Sequence, residues 1–133
     1  MSSKDYPGLI TDVIVARTDD LKKNPEMYKK FLRGIYRAID YFNAHHDEAV
    51  KIMAPHFKLS PEEYEELLAN LVYTPYEQAA EYLGTGGQRG KLHDLFDTVM
   101  QLNLENGAAE VKLDSNQQID NSIITDLFKD HTR

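Results

Sequence analysis

The chain of 133 residues contains no cysteine. Thiolate nucleophiles, disulfides and cysteine-ligated zinc are therefore excluded. No stretch approaches the roughly 20 consecutive apolar residues of a membrane-spanning helix, so no membrane insertion is expected. Positive charge is not in excess: 15 Lys and Arg stand against 22 Asp and Glu, a formal net charge of -7. Non-specific nucleic-acid binding needs clustered cations that displace counterions, so nucleic acid is not expected as a partner. The opening Met1-Ser2-Ser3-Lys4-Asp5 is polar where a secretory leader would be apolar. A product starting there would be cytoplasmic.

Several chemical signatures are also missing. The loop Gly84-Thr85-Gly86-Gly87-Gln88-Arg89-Gly90 is rich in glycine. A P-loop ending at Gly90-Lys91 would need glycine where Thr85 stands and a hydroxyl residue where Leu92 stands. Counted from Gly84, the third glycine of a dinucleotide fingerprint falls on Arg89, and no strand precedes it. The loop reads as a flexible surface connection. His45-His46-Asp47-Glu48 is the one run of metal-ligand residue types. Adjacent histidines at a helix end point in different directions, so no metal is expected there, and the two acids read as complements to the next helix dipole. Glu62, Glu63, Glu65 and Glu66 read as a solvated helix face. No Ser-His-Asp set stands out, so the residues identify neither a catalytic group nor a cofactor.

What is present is an ordinary globular composition, 41% hydrophobic and 28% charged, at the common size of one domain. Asp5-Tyr6-Pro7-Gly8 is a turn, with Pro presetting φ and Gly tolerating a positive one. Val13-Ile14-Val15-Ala16 is apolar and rich in β-branched residues, and predicts one principal strand from about Asp12 to Arg17. Asp19 to Lys23 is a polar connection with room for one helical turn.

About five to six helices follow. Asn24-Pro25 opens a long one, capped by Asn with Pro in the first turn. Its apolar positions are Tyr28, Phe31, Leu32, Ile35, Ala38, Ile39 and Phe42, with Lys29, Lys30, Arg33, Arg37 and Asp40 on the other face. Asp47 is read as the cap of a short helix that Pro55 ends or kinks. Ser60-Pro61-Glu62-Glu63 is a capping box, opening a helix with a stripe of Tyr64, Leu67, Leu68 and Leu71. Thr74-Pro75 reads as a similar start for a helix stopped by Gly84. Further helices are expected from about Lys91 to Asn106 and from about Asp120 to Lys129. Residues 108–118 read as irregular, with Val111 and Leu113 alternating only weakly. The strand thus lacks a partner of comparable quality. A buried unpaired backbone group costs about 1–3 kcal/mol.

The order of these elements resembles a known family. The signs are the turn from Ser2 to Gly8, Asp12 to Ala16 as an Asp-Val-apolar-Val strand, Asn24-Pro25-Glu26, and Asn43-Ala44-His45 through Glu48-Ala49. Leu59-Ser60-Pro61-Glu62-Glu63, Gly90-Lys91-Leu92 through Leu104-Glu105-Asn106-Gly107, and Ile119-Asp120 into Leu127 continue the series. Each motif alone is loose; their order spans nearly the whole chain. The family is that of ABC-transporter substrate-binding proteins of the nitrate, taurine, aliphatic-sulfonate and thiamine-pyrimidine-precursor type.

The resemblance implies an α/β parent of periplasmic binding protein type II fold. Residues 1–133 would be a single partial domain, the C-terminal part of a two-lobe protein and a partial lobe. The implied partners are the missing N-terminal part of the same protein, an ABC permease and a small anionic or polar organic ligand. Ser2, Ser3, Tyr6, Pro7 and Gly8 would lie near the inter-lobe hinge as ligand-binding residues. The strand's normal neighbours would come from the missing part. Without them Val13, Ile14, Val15 and Ala16 would pair with a second copy as a homodimer, be covered by helices, or stay poorly ordered. The location would be periplasmic or on the extracellular surface as part of the parent, and cytoplasmic as a product of this length. No cofactor, metal or catalytic residue is implied. Two alternatives remain open: a stand-alone helical interaction domain, and a segment of a thiamine-pyrimidine synthase-like enzyme of the same fold.

Overall fold

The structure is a computed structural model that describes residues 11–129. It is mainly helical, with eight α-helices, one 3-10 turn and no strand among the described residues. The helices are α1 (Thr18–Lys23), α2 (Pro25–Ala44), α3 (His46–Met53), α4 (Pro61–Leu68), α5 (Tyr76–Leu83), α6 (Lys91–Glu105), α7 (Ser115–Gln118) and α8 (Ser122–Asp126), with the 3-10 turn Ala54–Phe57 following α3.

The expected strand is the main correction. Val13, Ile14, Val15 and Ala16 form no regular structure and are exposed, Val15 at 84%. A β-branched run holds a strand only where a neighbour supplies the ladder, and none of the described residues does so. Left open to water, its backbone groups are solvated, so the burial cost does not arise. Val111 and Leu113 are likewise exposed and outside any strand. The helix count also exceeds expectation. The polar connection after Arg17 folds as α1, with Asp19 and Asp20 in its first turn and Lys22 and Lys23 in its last, as the helix dipole favours. Residues 115–118, read as irregular, form α7, where the Asp114 side chain accepts from the Asn116 N–H.

Helix α2 is the spine. Its middle and N-terminal parts carry one apolar cluster: Tyr36 joins Ile123, Ile124 and Leu127, with Leu21, Tyr28, Leu32, Ile39, Tyr76, Ala79, Ala80, Leu83 and Phe128 packed around them. Tyr76 anchors this cluster, meeting Tyr36 edge-on with centroids 5.5 Å apart and donating its hydroxyl to the Ile124 carbonyl at 3.0 Å. Arg33 donates to the Leu127 carbonyl at 2.8 Å and ties α2 to the end of α8. The C-terminal end of α2 carries the second cluster, in which Phe42 packs with Ala49, Val50, Ala54 and Tyr64. Met53, Leu59, Leu68 and Tyr73 flank it.

Local starts and stops explain the bounds. Ser60 caps α4 as expected: its hydroxyl accepts from the Glu63 N–H at 3.2 Å, and the Glu63 carboxylate accepts from the Ser60 N–H at 2.7 Å. Asp47 is not a cap. Helix α3 starts at His46 with His45 in the cap position, and Asp47 sits in the first turn. Pro75, rather than Thr74, holds the cap position of α5, and no side chain caps it. The last helix is regular only over Ser122–Asp126 and continues as turns to Lys129.

Candidate functional site

Ser2, Ser3, Tyr6, Pro7 and Gly8, which the family resemblance implies as ligand-binding, lie outside the described residues. The expected self-association residues Val13, Ile14, Val15 and Ala16 are exposed and unpaired immediately before α1. They form an apolar stretch that ends at Arg17, the N-terminal flank of α1.

The His45-His46 pair diverges, as its spacing predicts. His45 lies against the Tyr41 ring with centroids 4.6 Å apart. His46 meets Phe42 edge-on at 4.9 Å, and its Nε2 lies 2.8 Å from a Glu65 carboxylate oxygen on α4. Among the described residues no group of three or more His, Asp or Glu is arranged to hold a metal. The joint between α2 and α3 is an open depression lined by Ala44, His45, His46, Asp47 and Glu48. A second depression, lined by Asp47, Val50, Lys51, Pro61, Glu62 and Glu65, separates α3 from α4. Both open widely to solvent, unlike the concave clefts that bury most of a small ligand.

The glycine-rich loop is a latch. Gly84 has φ +81°, and a Cβ there would collide with the Gln88 carbonyl oxygen and the Gly90 backbone. A Cβ on Gly90 would strike the backbone of Tyr82, Leu83 and Gly84 in return. The loop therefore closes on its own neck, which only glycine permits. Two of its backbone groups bond to the α8 region: the Gly86 N–H donates to Thr125 Oγ1 at 2.9 Å, and Asn121 Nδ2 donates to the Gln88 carbonyl at 2.9 Å. Arg89 extends from this neck and joins three elements. One guanidinium nitrogen donates to the fully buried Ser115 Oγ at 3.0 Å and to Asn116 at 3.1 Å; another donates to Asp94 at 3.2 Å and Asp97 at 2.7 Å. The guanidinium, helped by Ser115, holds the Asp97 carboxyl below the usual carboxylate range. At the start of α6 the buried His93 accepts the Gly90 N–H at Nδ1, 3.2 Å away. The sequence does not single out Arg89, because Ser115 and Asn116 lie 26 and 27 residues away; the acids Asp94 and Asp97, five and eight residues on, were the available sign.

The distinctive surface is apolar and uncovered. On α2, Met27 and Phe31 are 52% and 55% exposed, and Ala38 faces solvent too. Phe31 and Ala38 were expected on the packed side; Tyr36, which the stripe omitted, is buried instead. Leu71 and Val72 after α4, Val99 and Leu102 on α6, and Val111 and Leu113 beyond it are exposed as well. Scattered apolar side chains are normal on any surface. A run such as Val13 to Val15, or a whole helix stripe, is the kind of feature that marks an interaction site. Comparison with family models, curated proteins and solved structures finds no match for the chain.

Proposed function

We propose that this chain is a segment of an ABC-type solute-binding protein, helping form a lobe that closes on a small anionic or polar organic ligand. Its first partner is the remaining polypeptide of the same protein; the importer's permease is the second. Ser2, Ser3, Tyr6, Pro7 and Gly8 contribute hydroxyl and backbone donors near the hinge, where turn N–H groups suit an anion. Lobe closure about the hinge is the mechanism.

The observation that carries this reading is the apolar run Val13 to Val15, exposed and without a ladder immediately ahead of α1. Such a run is suited to joining a sheet supplied by another part of the protein. The α/β character of the parent rests on that expectation and on the motif order. A stand-alone helical interaction domain is the second reading, favoured by the exposed apolar face of α2.

The test is to fractionate source cells and probe with antibody raised against this chain, whose own mass is 15.3 kDa. A band well above that mass in the periplasmic or surface fraction is expected. A cytoplasmic band at 15.3 kDa overturns the transport reading in favour of the interaction domain. A heavier cytoplasmic band also overturns it and directs attention to the enzyme of the same fold.

A further inference from the structure

Helix α2 carries a second apolar seam that the interior does not use. Tyr28, Leu32, Tyr36, Ile39 and Phe42 face the two clusters. Met27, Phe31, Gly34, Ala38 and Tyr41 are all exposed. Their spacing alternates four and three residues, the heptad repeat that keeps one stripe of a helix facing a neighbouring helix. At its centre stands Gly34-Ile35-Tyr36-Arg37-Ala38, two small residues one turn apart. Small residues at that separation let two helix backbones approach closely.

Gly34 is the informative residue. A glycine inside a helix is destabilising relative to alanine. Nothing among the described residues requires it: its φ is not in the left-handed region, and a Cβ would meet no described atom within 4 Å. The described interior offers no reason for a destabilising residue in the middle of α2. A helix packed closely against it would supply one.

The seam is also self-complementary in charge. Lys30 borders its N-terminal half and forms no ion pair among the described residues. Lys22 and Lys23 end α1 just before it. At the other end, the Glu48 carboxylate lies against the Tyr41 hydroxyl and holds that phenol above its usual range. Asp47 is beside it in the first turn of α3. An antiparallel copy brings the basic end of one seam to the acidic end of the other. We propose that this face is a self-association surface, on which a second copy of the chain packs its α2 antiparallel about a two-fold axis beside Gly34 and Ala38. Phe31 then lies beside the second copy's Tyr41, and Lys30 near its Glu48. Arg37 flanks the axis, where its long stem turns the guanidinium out to water. The contact is isologous and closes at two chains. A lipid surface would gain nothing from the two small residues at the centre. The inference is independent of the solute-binding reading.

Sedimentation equilibrium of the full chain over a dilution series tests it. A concentration-dependent dimer is expected. Gly34→Gln should abolish it while keeping the far-ultraviolet circular dichroism, and should melt no lower than the parent when both are dilute enough to be monomeric. Lys30→Glu and Glu48→Lys should each weaken the dimer about tenfold or more, and the two together in one chain should restore it. A chain that stays monomeric at every concentration overturns the proposal, even if it binds anionic vesicles or another protein. So does a dimer that survives Gly34→Gln but is lost on Val13→Lys/Val15→Lys, or a charge-swapped double variant no stronger than the singles.

Discussion

Tyr64 shows how burial and one hydrogen bond set the behaviour of a single group. It is fully buried; its hydroxyl lies 3.0 Å from the Tyr73 hydroxyl and 3.7 Å from Met53 Sδ. Burial first, and the bond with Tyr73 second, push its phenol up from 10.0 to about 12. The folded state therefore holds this proton more tightly than the unfolded chain does. The resulting stability is fully present below pH 10.0 and is lost as pH rises through about 12. The loss is on the order of 1–3 kcal/mol. Tyr64→Phe should cost about 0.5–1.5 kcal/mol at neutral pH by removing the hydroxyl bond. It should also flatten that alkaline decline. Urea titrations of both proteins across the alkaline range would decide, and an equally steep decline in the variant would refute the assignment. The apolar stripe of α4 made Tyr64 a core residue from sequence. It gave equal weight to Leu67 and Leu71, which are 40% and 41% exposed. Periodicity shows which residues share a face; it does not show how much of that face a neighbour covers.

Helix starts were legible where the chemistry is local. The capping box at Ser60 forms with both of its reciprocal bonds, because all its atoms lie within four consecutive residues. Thr74-Pro75 carries a similar signature without its bond: α5 starts one residue later than a Thr74 cap would place it. The pair makes a controlled comparison. Ser60→Ala should lower stability by about 1 kcal/mol, as cap removal commonly does. Thr74→Ala should change it by only a few tenths. Thermal melts under identical conditions measure both; equal losses would mean that the two positions are alike after all. The strand expected at Val13 to Ala16, which does not form, is the opposite case. Its residue types suit a sheet, but a strand is completed by a ladder partner, and α1 instead follows an exposed, unpaired run.

In the whole molecule, two apolar clusters share one long helix. The cluster around Leu127 grips α2 in its middle, and the cluster around Val50 and Tyr64 grips its C-terminal end. Because α2 is continuous between them, loss of either cluster exposes a face of the same helix. Leu127 is fully buried. Leu127→Ala should cost about 2–5 kcal/mol. It should lower a single transition reported alike by the Tyr64 side and the α8 side, rather than splitting unfolding into two. Residue-resolved hydrogen exchange against denaturant checks this: separate openings for α3–α4 and α5–α8 would show that the spine does not couple them.

By itself the sequence determined the mainly helical character, the long α2, the Ser60 cap, the stop at Gly84 and the divergence of His45 and His46. Each follows from residues near one another in the chain, where φ preferences, caps and side-chain periodicity act directly. Tertiary structure alone decided that Phe31 and Ala38 face water while Tyr36 is buried, and that Val13 to Val15 remain open. It also decided that the glycine loop is a latch held through Arg89, Thr125 and Asn121. These outcomes depend on which distant surfaces meet, and on the backbone groups and apolar area left uncovered when no surface arrives.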